Sequence, residues 1–409
     1  MLISHISDIH LGYAQFNLQE REEDIYDVFE ESIDKSIHEH VEAIILAGDI
    51  FHNPKPNGAA MIKLARELKK LKEKLIPVVF VLGEHDISRT NDVPLLFLYH
   101  NLGLAKRLTP EKPVKIKDVS IYGFNKERRS NIDNGLIKPF RRLEKIVKAD
   151  ESKNKILVLH QGLSDFNKFA GEIFASDLPV GFDYYAMGHY HDNIQKIFPE
   201  LDNNLVAYPG SLDVGHSESI SDVEKGFLIA DISNNSDNIM TQWIKMEKRR
   251  PQLSYSLEFD ELGKYVEYLL NQSGKYSKKP VLELKIKGHE VDSKILTSEL
   301  SRLKDQFLYY TWNIFEEDSV SGYSYDNERD LDIDKEMSKL ILHSLKSEKL
   351  TNLSLDLINM INEGFSVGSI NKDKSKNIVD YIWKYYNNNK IEYQNKDADN
   401  LIDKKINIK

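Results

Sequence analysis

Several short apolar runs in this sequence end in residues that hold metal ions or move protons. Leu2–Ile6 runs into Asp8-Ile9-His10, and Ala43–Leu46 into Gly48-Asp49 with His52 just beyond. Val78–Leu82 runs into Gly83-Glu84-His85-Asp86, Ile156–Leu159 into His160, and Tyr184–Met187 into Gly188-His189-Tyr190-His191. Asp-x-His is common by chance. Gly-His-x-His is not, since this composition makes about 0.02 copies expected. If the runs are strands of an α/β sheet, their carboxyl ends face the crevice where ligands bind, and carboxylates and imidazoles collect there. Oxygen and nitrogen ligands without sulfur suit manganese, iron or zinc rather than a calcium cage. The candidate ligands are too many for one ion. Two ions about 3.5–4 Å apart, sharing a carboxylate, form a clamp for a phosphoryl group, which predicts phosphoester hydrolysis.

The elements that must position these residues are legible in the pattern. Val119–Phe124 and Phe227–Ile229 also read as buried strands. Between strands, Ile25, Val28, Phe29, Ile33 and Ile37 stripe one face of a helix over Glu20–Val41. Ile62, Ala65, Leu68, Leu71 and Leu75 do the same for a second helix. Alternating strands and helices predict an α/β core. After the basic stretch Lys245–Arg250 and Pro251, a strand (Leu253–Leu257), helix (Glu261–Leu270), strand (Val281–Ile286) and helix (Ser293–Leu303) predict a small second α/β domain. Glu316–Arg329 reads as a linker. Short helical patterns follow around Met337–Leu345, Leu353–Ile361 and Ile378–Tyr386, then an Asn/Lys/Asp-rich tail. The expected domains are 1–248, 249–315, a linker at 316–330, and a helical region at 331–409.

Composition bounds the rest. The chain has 409 residues, enough for two or three domains, and a net charge of −10. An acidic whole argues against adhesion to nucleic acid over the entire surface but leaves room for a local basic track. No cysteine is present, which excludes disulfides, thiolate zinc sites, iron–sulfur clusters and cysteine nucleophiles. The start, MLISHISDIH, lacks the features of a signal peptide, and no apolar stretch reaches a membrane span. The expectation is a cytoplasmic, chromosome-associated protein with no membrane contact.

Together these motifs resemble the calcineurin-like metallophosphoesterases, and within them the SbcD-type repair nucleases, the Mre-eleven family. Asp8-Ile9-His10-Leu11-Gly12 and Gly48-Asp49-Ile50-Phe51-His52 resemble that branch, where ordinary phosphatases carry a second Asp at the position of His52. His160-Gln161-Gly162, Gly188-His189-Tyr190-His191 and Tyr208-Pro209-Gly210-Ser211-Leu212 extend the match. The resemblance is specific over about 1–230. It implies a four-layer αββα sandwich with a small α/β capping domain and C-terminal helices. One ion would be held by Asp8, His10, Asp49 and His191, and the other by Asp49, Glu84, His160 and His189, with Asp49 shared. His85 would be the general acid and His52 would position it or the phosphate. The family motif reads Gly-Asn-His where this chain has Gly83-Glu84-His85, so one extra carboxylate faces the ions.

The same resemblance implies two manganese ions, 3′-to-5′ exonuclease and single-strand endonuclease activity in double-strand-break repair, a homodimer, and an SbcC-type (Rad-fifty) ABC ATPase partner. DNA would need positive charge. Lys126, Arg128 and Arg129, then Lys138, Arg141 and Arg142, then Lys245, Lys248, Arg249 and Arg250 are candidates, and Arg89 is placed to face a phosphate close to His85. Two rival functions are a phosphatase acting on small molecules or proteins and a non-catalytic DNA-binding scaffold with a degenerate metal site. His52 and the appended domains count against the first. Only Glu84 speaks for the second.

Overall fold

The computed structural model describes residues 1–88, 92–215, 218–232, 239–288, 291–315, 338, 341–342 and 345–362. Two six-stranded sheets form the centre. The first runs in spatial order β12 (Met240–Lys245), β11 (Gly226–Asp231), β1 (Leu2–Ile6), β2 (Ala43–Ala47), β3 (Val78–Val81) and β4 (Lys106–Arg107). The second runs β5 (Val114–Ile116), β6 (Val119–Phe124), β7 (Asn154–His160), β8 (Tyr184–Gly188), β10 (Asn204–Tyr208) and β9 (Ile194–Phe198). β1 to β4 are mutually parallel, and so are β6, β7, β8 and β10. Antiparallel strands flank each parallel set.

Side-chain alternation explains the layering. Ile3, Ala43, Ile45, Ala47, Val79 and Val81 point toward the other sheet and meet Ile121, Ile156, Val158 and Ala186. Ile6, Ile44, Leu46, Val78 and Phe80 point outward onto α1 (Gln19–His38), α2 (Gly58–Glu73) and α3 (Leu96–Asn101). The outer face of the second sheet packs on α4 (Lys138–Ala149) through Phe140, Leu143 and Val147. Strands covered on both faces read as continuous apolar runs, which is why they stand out in the sequence. The expected helix–sheet–sheet–helix order is what the chain adopts. Burying Ile25, Val28, Phe29 and Ile33 of α1 contributes roughly 1.5–3 kcal/mol each.

The second α/β element order is also present. β13 (Gln252–Glu258), β14 (Val281–Lys287) and β15 (Tyr309–Phe315) form a parallel three-stranded sheet packed on α5 (Leu262–Ser273) and α6 (Ser293–Ser301). β15 escaped the sequence reading because its burial is only partial. The chain divides into compact units at Met1–Ser319 and Val320–Lys409, so the sandwich and this small sheet lie in one unit. In the other, among the described residues, a helix spans Glu348–Asn362 and takes in the expected pattern at Leu353–Ile361. The expected linker at 316–330 and the pattern at Ile378–Tyr386 lie outside the described residues. No helix among the described residues is long and apolar enough to cross a membrane.

Candidate metal centre

The parallel strands of both sheets deliver their carboxyl ends to one edge. Asp8 and His10 follow β1, Asp49 and His52 follow β2, Glu84 and His85 follow β3, His160 ends β7, and His189 and His191 follow β8. The turns that aim these residues are sharp. Asp8, His10, Asp49 and His189 all have positive φ, at 52°, 53°, 48° and 110°. Non-glycine residues adopt that region only when their surroundings hold them there, and such strain clusters at functional sites. Here the hold is visible. Asp8 N donates to Gly48 O (3.1 Å), His10 N to Asp49 O (3.0 Å), and His52 N to Leu11 O (3.0 Å), lacing the two loops together. Gly48, at φ 88°, allows a close approach, because a Cβ there would lie 2.4 Å from His160 Nδ1.

The donor atoms converge. Asp8, His10 and His191 present one atom each within a 4.8 Å cluster, as do Glu84, His160 and His189. Asp8, Asp49 and His160 form a further such group between them. His10 Nε2 and His191 Nε2 stand 3.3 Å apart, and His160 Nε2 lies 3.4 Å from Asp49 Oδ2 and 3.2 Å from Glu84 Oε2. His189 Nδ1 is 3.2 Å from Glu84 Oε1. Glu84 thus touches two of the imidazoles the sequence pairs it with.

Partners outside the cluster fix which nitrogen faces in. His160 Nδ1 donates to Ala47 O (2.7 Å), and His191 Nδ1 pairs with Glu218 Oε2 (3.0 Å). That is the pattern that orients imidazole ligands. His85 Nδ1 donates to His52 O (2.9 Å), and its ring stacks on that of His52 with centroids 5.3 Å apart. Asp49 Oδ1 accepts from His85 N (2.8 Å), which ties the Asp49 carboxylate to the loop that carries His85.

A divalent cation fits this donor set. Asp8 Oδ1 is buried with no hydrogen-bond partner, a costly state for a carboxylate oxygen unless something else satisfies it. The electrostatics also call for positive charge. Burial alone would lower the His160 pKa, yet Asp49, Glu84 and Asp8 raise it well above the ordinary value. Burial would raise the Asp49 carboxyl, but His160 and His10 hold it below the usual carboxylate range. Burial keeps His10 neutral, against the pull of Asp49 and helped by His191 and His85, which leaves a lone pair for a ligand bond.

Four residues missed by sequence reasoning support the centre. Asp86 is buried and accepts from Phe51 N (2.9 Å), Gly83 N (3.0 Å) and Ile50 N (3.3 Å), clamping the β2 and β3 loops. Glu218 orients His191, and Lys225 ties Glu218 to His191 O. Glu172 accepts from Gln161 Nε2 (3.1 Å) and Gly162 N (2.8 Å), shaping the loop after His160. Only Asp86 had a signal, its place in Gly83-Glu84-His85-Asp86.

The chain matches the calcineurin-like phosphoesterase family model over residues 1–193. It is 32% identical over 375 residues to the DNA double-strand break repair protein Mre11 of Sulfurisphaera tokodaii, covering 88% of this chain and 93% of that protein. The chain belongs to the Mre11 family. Mre11 of Saccharolobus solfataricus is 31% identical over 392 residues (90% and 97% of the two chains), and that of Methanococcus maripaludis 35% over 294 (69% and 77%). Among solved structures, a dimetal phosphatase from Danio rerio overlaps 60% of this chain and 96% of its own at 10% identity and a TM-score of 0.42, too low to add to this assignment.

The basic residues expected to meet DNA divide three ways. Arg128 and Arg129 are exposed on the loop after β6, Arg129 donating to Gly171 O, and Arg141 and Arg142 are exposed on α4. Lys126 is instead turned inward, with its side chain 8% exposed, beside Glu84 and Glu172. Arg249 pairs with Asp213 and Arg250 with Asp24, which makes both structural. Arg89 and His216 lie outside the described residues.

Proposed function

We propose that this protein is a two-metal DNA nuclease of double-strand-break repair, hydrolysing phosphodiester bonds as a 3′-to-5′ exonuclease and single-strand endonuclease. The observation that carries this reading is the pair of donor groups, Asp8–His10–His191 and Glu84–His160–His189, joined through Asp49, with His85 held against the junction. Asp49 would serve both ions, and manganese suits an oxygen–nitrogen donor set. Held there, two divalent ions would supply positive charge to the phosphodiester and lower the pKa of a water. His85, its ring oriented by the bond from Nδ1 to the His52 carbonyl, would protonate the leaving oxygen, and His52 would position it. Arg128, Arg129, Arg141 and Arg142 would hold the DNA backbone without reading sequence. His52 where phosphatases carry Asp favours DNA over a small phosphomonoester.

Family membership supports a homodimer and an SbcC-type (Rad-fifty) ABC ATPase as partners, and a chromosome-associated place in the cytoplasm. Ile62 on α2, Leu98 on α3 and Leu102 just past its end are exposed apolar side chains, the two helices being tied by the Tyr99 Oη to Met61 O bond (2.9 Å), a surface suited to a second copy. We assign 1–248 to the nuclease core, 249–315 to a cap that shapes DNA access, 316–330 to a linker, and 331–409 to ATPase binding.

The test is cleavage of a labelled DNA end with manganese by three proteins. Asp49→Ala should bind neither ion well and cut nothing. His85→Ala should bind manganese as the parent does and lose about 10²–10⁴-fold in rate. Parent-like cleavage by His85→Ala overturns its assignment.

A further inference from the structure

The two donor groups are built from the same parts, one carboxylate and two imidazoles each, but a lysine ammonium reaches donor atoms in only one of them. Lys126 Nζ lies 3.5 Å from Glu84 Oε2 and 3.5 Å from His189 Nδ1, so it touches two of the three donors of the second group. Its place there is fixed at both ends. Lys126 N donates to Leu82 O (2.8 Å), and the neighbouring Asn125 Oδ1 accepts from Leu82 N (3.0 Å), which staples the end of β6 to the strand that leads into Glu84. At the tip, Nζ donates to Glu172 Oε1 at 2.5 Å, and Glu172 is itself preset by Gln161 and Gly162. The first group has a lysine nearby too, but Lys225 Nζ reaches the His191 carbonyl and Glu218, not a donor atom.

We propose that Lys126 is a resident counter-cation of the metal centre, holding Glu84 and making the Glu84–His160–His189 half bind divalent ions more weakly than the Asp8–His10–His191 half. The inference rests on the metal-centre reading and adds to it an order of filling. The same Glu84 oxygen serves Lys126 and stands 3.2 Å from His160 Nε2, so an entering cation must share it with a fixed ammonium. Glu84 supplies a full negative charge, and Lys126 offsets it. Lys126 is thus a positioning residue that sets metal occupancy, not one of the groups that meets the DNA backbone.

Calorimetric titration of the full chain with manganese alone tests this. The parent should show two classes of site, one distinctly weaker. Lys126→Met should tighten the weaker class by on the order of tenfold and the tighter class by less, since the ammonium touches donor atoms of one group only and its repulsion of a divalent ion falls with distance. Lys126→Arg, which keeps the charge, should retain the split, and Lys126→Gln replaces the Met variant if that one fails to fold. Unchanged or weakened binding in the neutral variants, with two classes still present in the parent, overturns this inference alone. A parent that takes up no manganese overturns the metal-centre reading beneath it.

Discussion

Asp24 on α1 gathers three cations from distant parts of the chain. Its carboxylate accepts from Arg21 Nη1 (2.6 Å), from Arg250 Nε (2.6 Å) and Nη2 (3.1 Å), and from Lys278 Nζ (2.9 Å). Arg21 continues to Asp213 (3.0 Å), on the loop that follows β10. One carboxylate therefore fastens the sandwich to the residues that open and line the small second sheet. Asp24→Ala leaves the Arg250 guanidinium without its carboxylate partner, whereas Arg21 keeps Asp213 and Gln15. Removing one member of a buried ion pair costs about 3–5 kcal/mol. Lys278 keeps Asp27 (2.8 Å) and Arg250 keeps the Lys279 carbonyl (2.7 Å), so the low end, about 3 kcal/mol, is expected. In a unit of this size, with about 2.1 cal/mol/K of unfolding entropy per residue, that is roughly 4–5 °C in Tm. Urea unfolding followed by tryptophan fluorescence measures it. The effect should depend on pH. Burial alone would raise the Asp24 carboxyl, but its bonds to Arg250 and Lys278 and the charge of Arg21 hold it below the usual range. A depressed folded-state pKa contributes stability that is present above the unfolded value, about 3.9, and is lost as pH falls through the folded one. The gap between parent and variant should therefore be widest near neutrality and close below about pH 4. A gap under about 1 kcal/mol at neutral pH, or one that widens on acidification, refutes the reasoning.

Two further outcomes follow from the site and the C-terminal region. Glu84→Asn removes a negative charge from the second donor group and leaves Lys126 in place, so it should need more manganese for half-activation yet reach a higher maximal rate; tighter manganese binding by the Asn variant contradicts ligation by Glu84. Deleting residues after about 330 should spare cleavage of a short DNA and abolish binding to the ATPase, since Met337, Leu340, Ile341 and Leu345 and the run Ile378–Tyr386 give apolar faces on short segments that need a partner surface. Co-purification of the truncated chain with the ATPase contradicts that assignment.

The central strands were legible because burial on both faces writes itself as an unbroken apolar run, as in Ala43–Leu46 and Ile156–Leu159. The residues at their ends were legible for the same reason, since a polar residue after such a run has little else to do but leave the core. Edge strands such as Ile194–Phe198 and Met240–Lys245 carry exposed polar residues and gave no such signal. Glu172 and Glu218 were invisible because their roles arise only when loops far apart in sequence close on His160 and His191. Lys126 shows the same limit from the other side. Its sequence neighbours Arg128 and Arg129 are exposed, and nothing in the run Lys126–Arg129 marks the first as turned inward.

The most direct test of the central claim is a side-by-side rate measurement with manganese, on a linear duplex DNA end and on a nucleotide monoester, at equal phosphate concentration. The two donor groups, His85 held beside Asp49, and His52 in place of a second carboxylate predict rapid cleavage of the DNA and little of the monoester, with both activities lost on chelation. A parent protein that prefers the monoester contradicts the nuclease reading in favour of a phosphatase, and one that binds DNA but cleaves neither substrate contradicts it in favour of a scaffold.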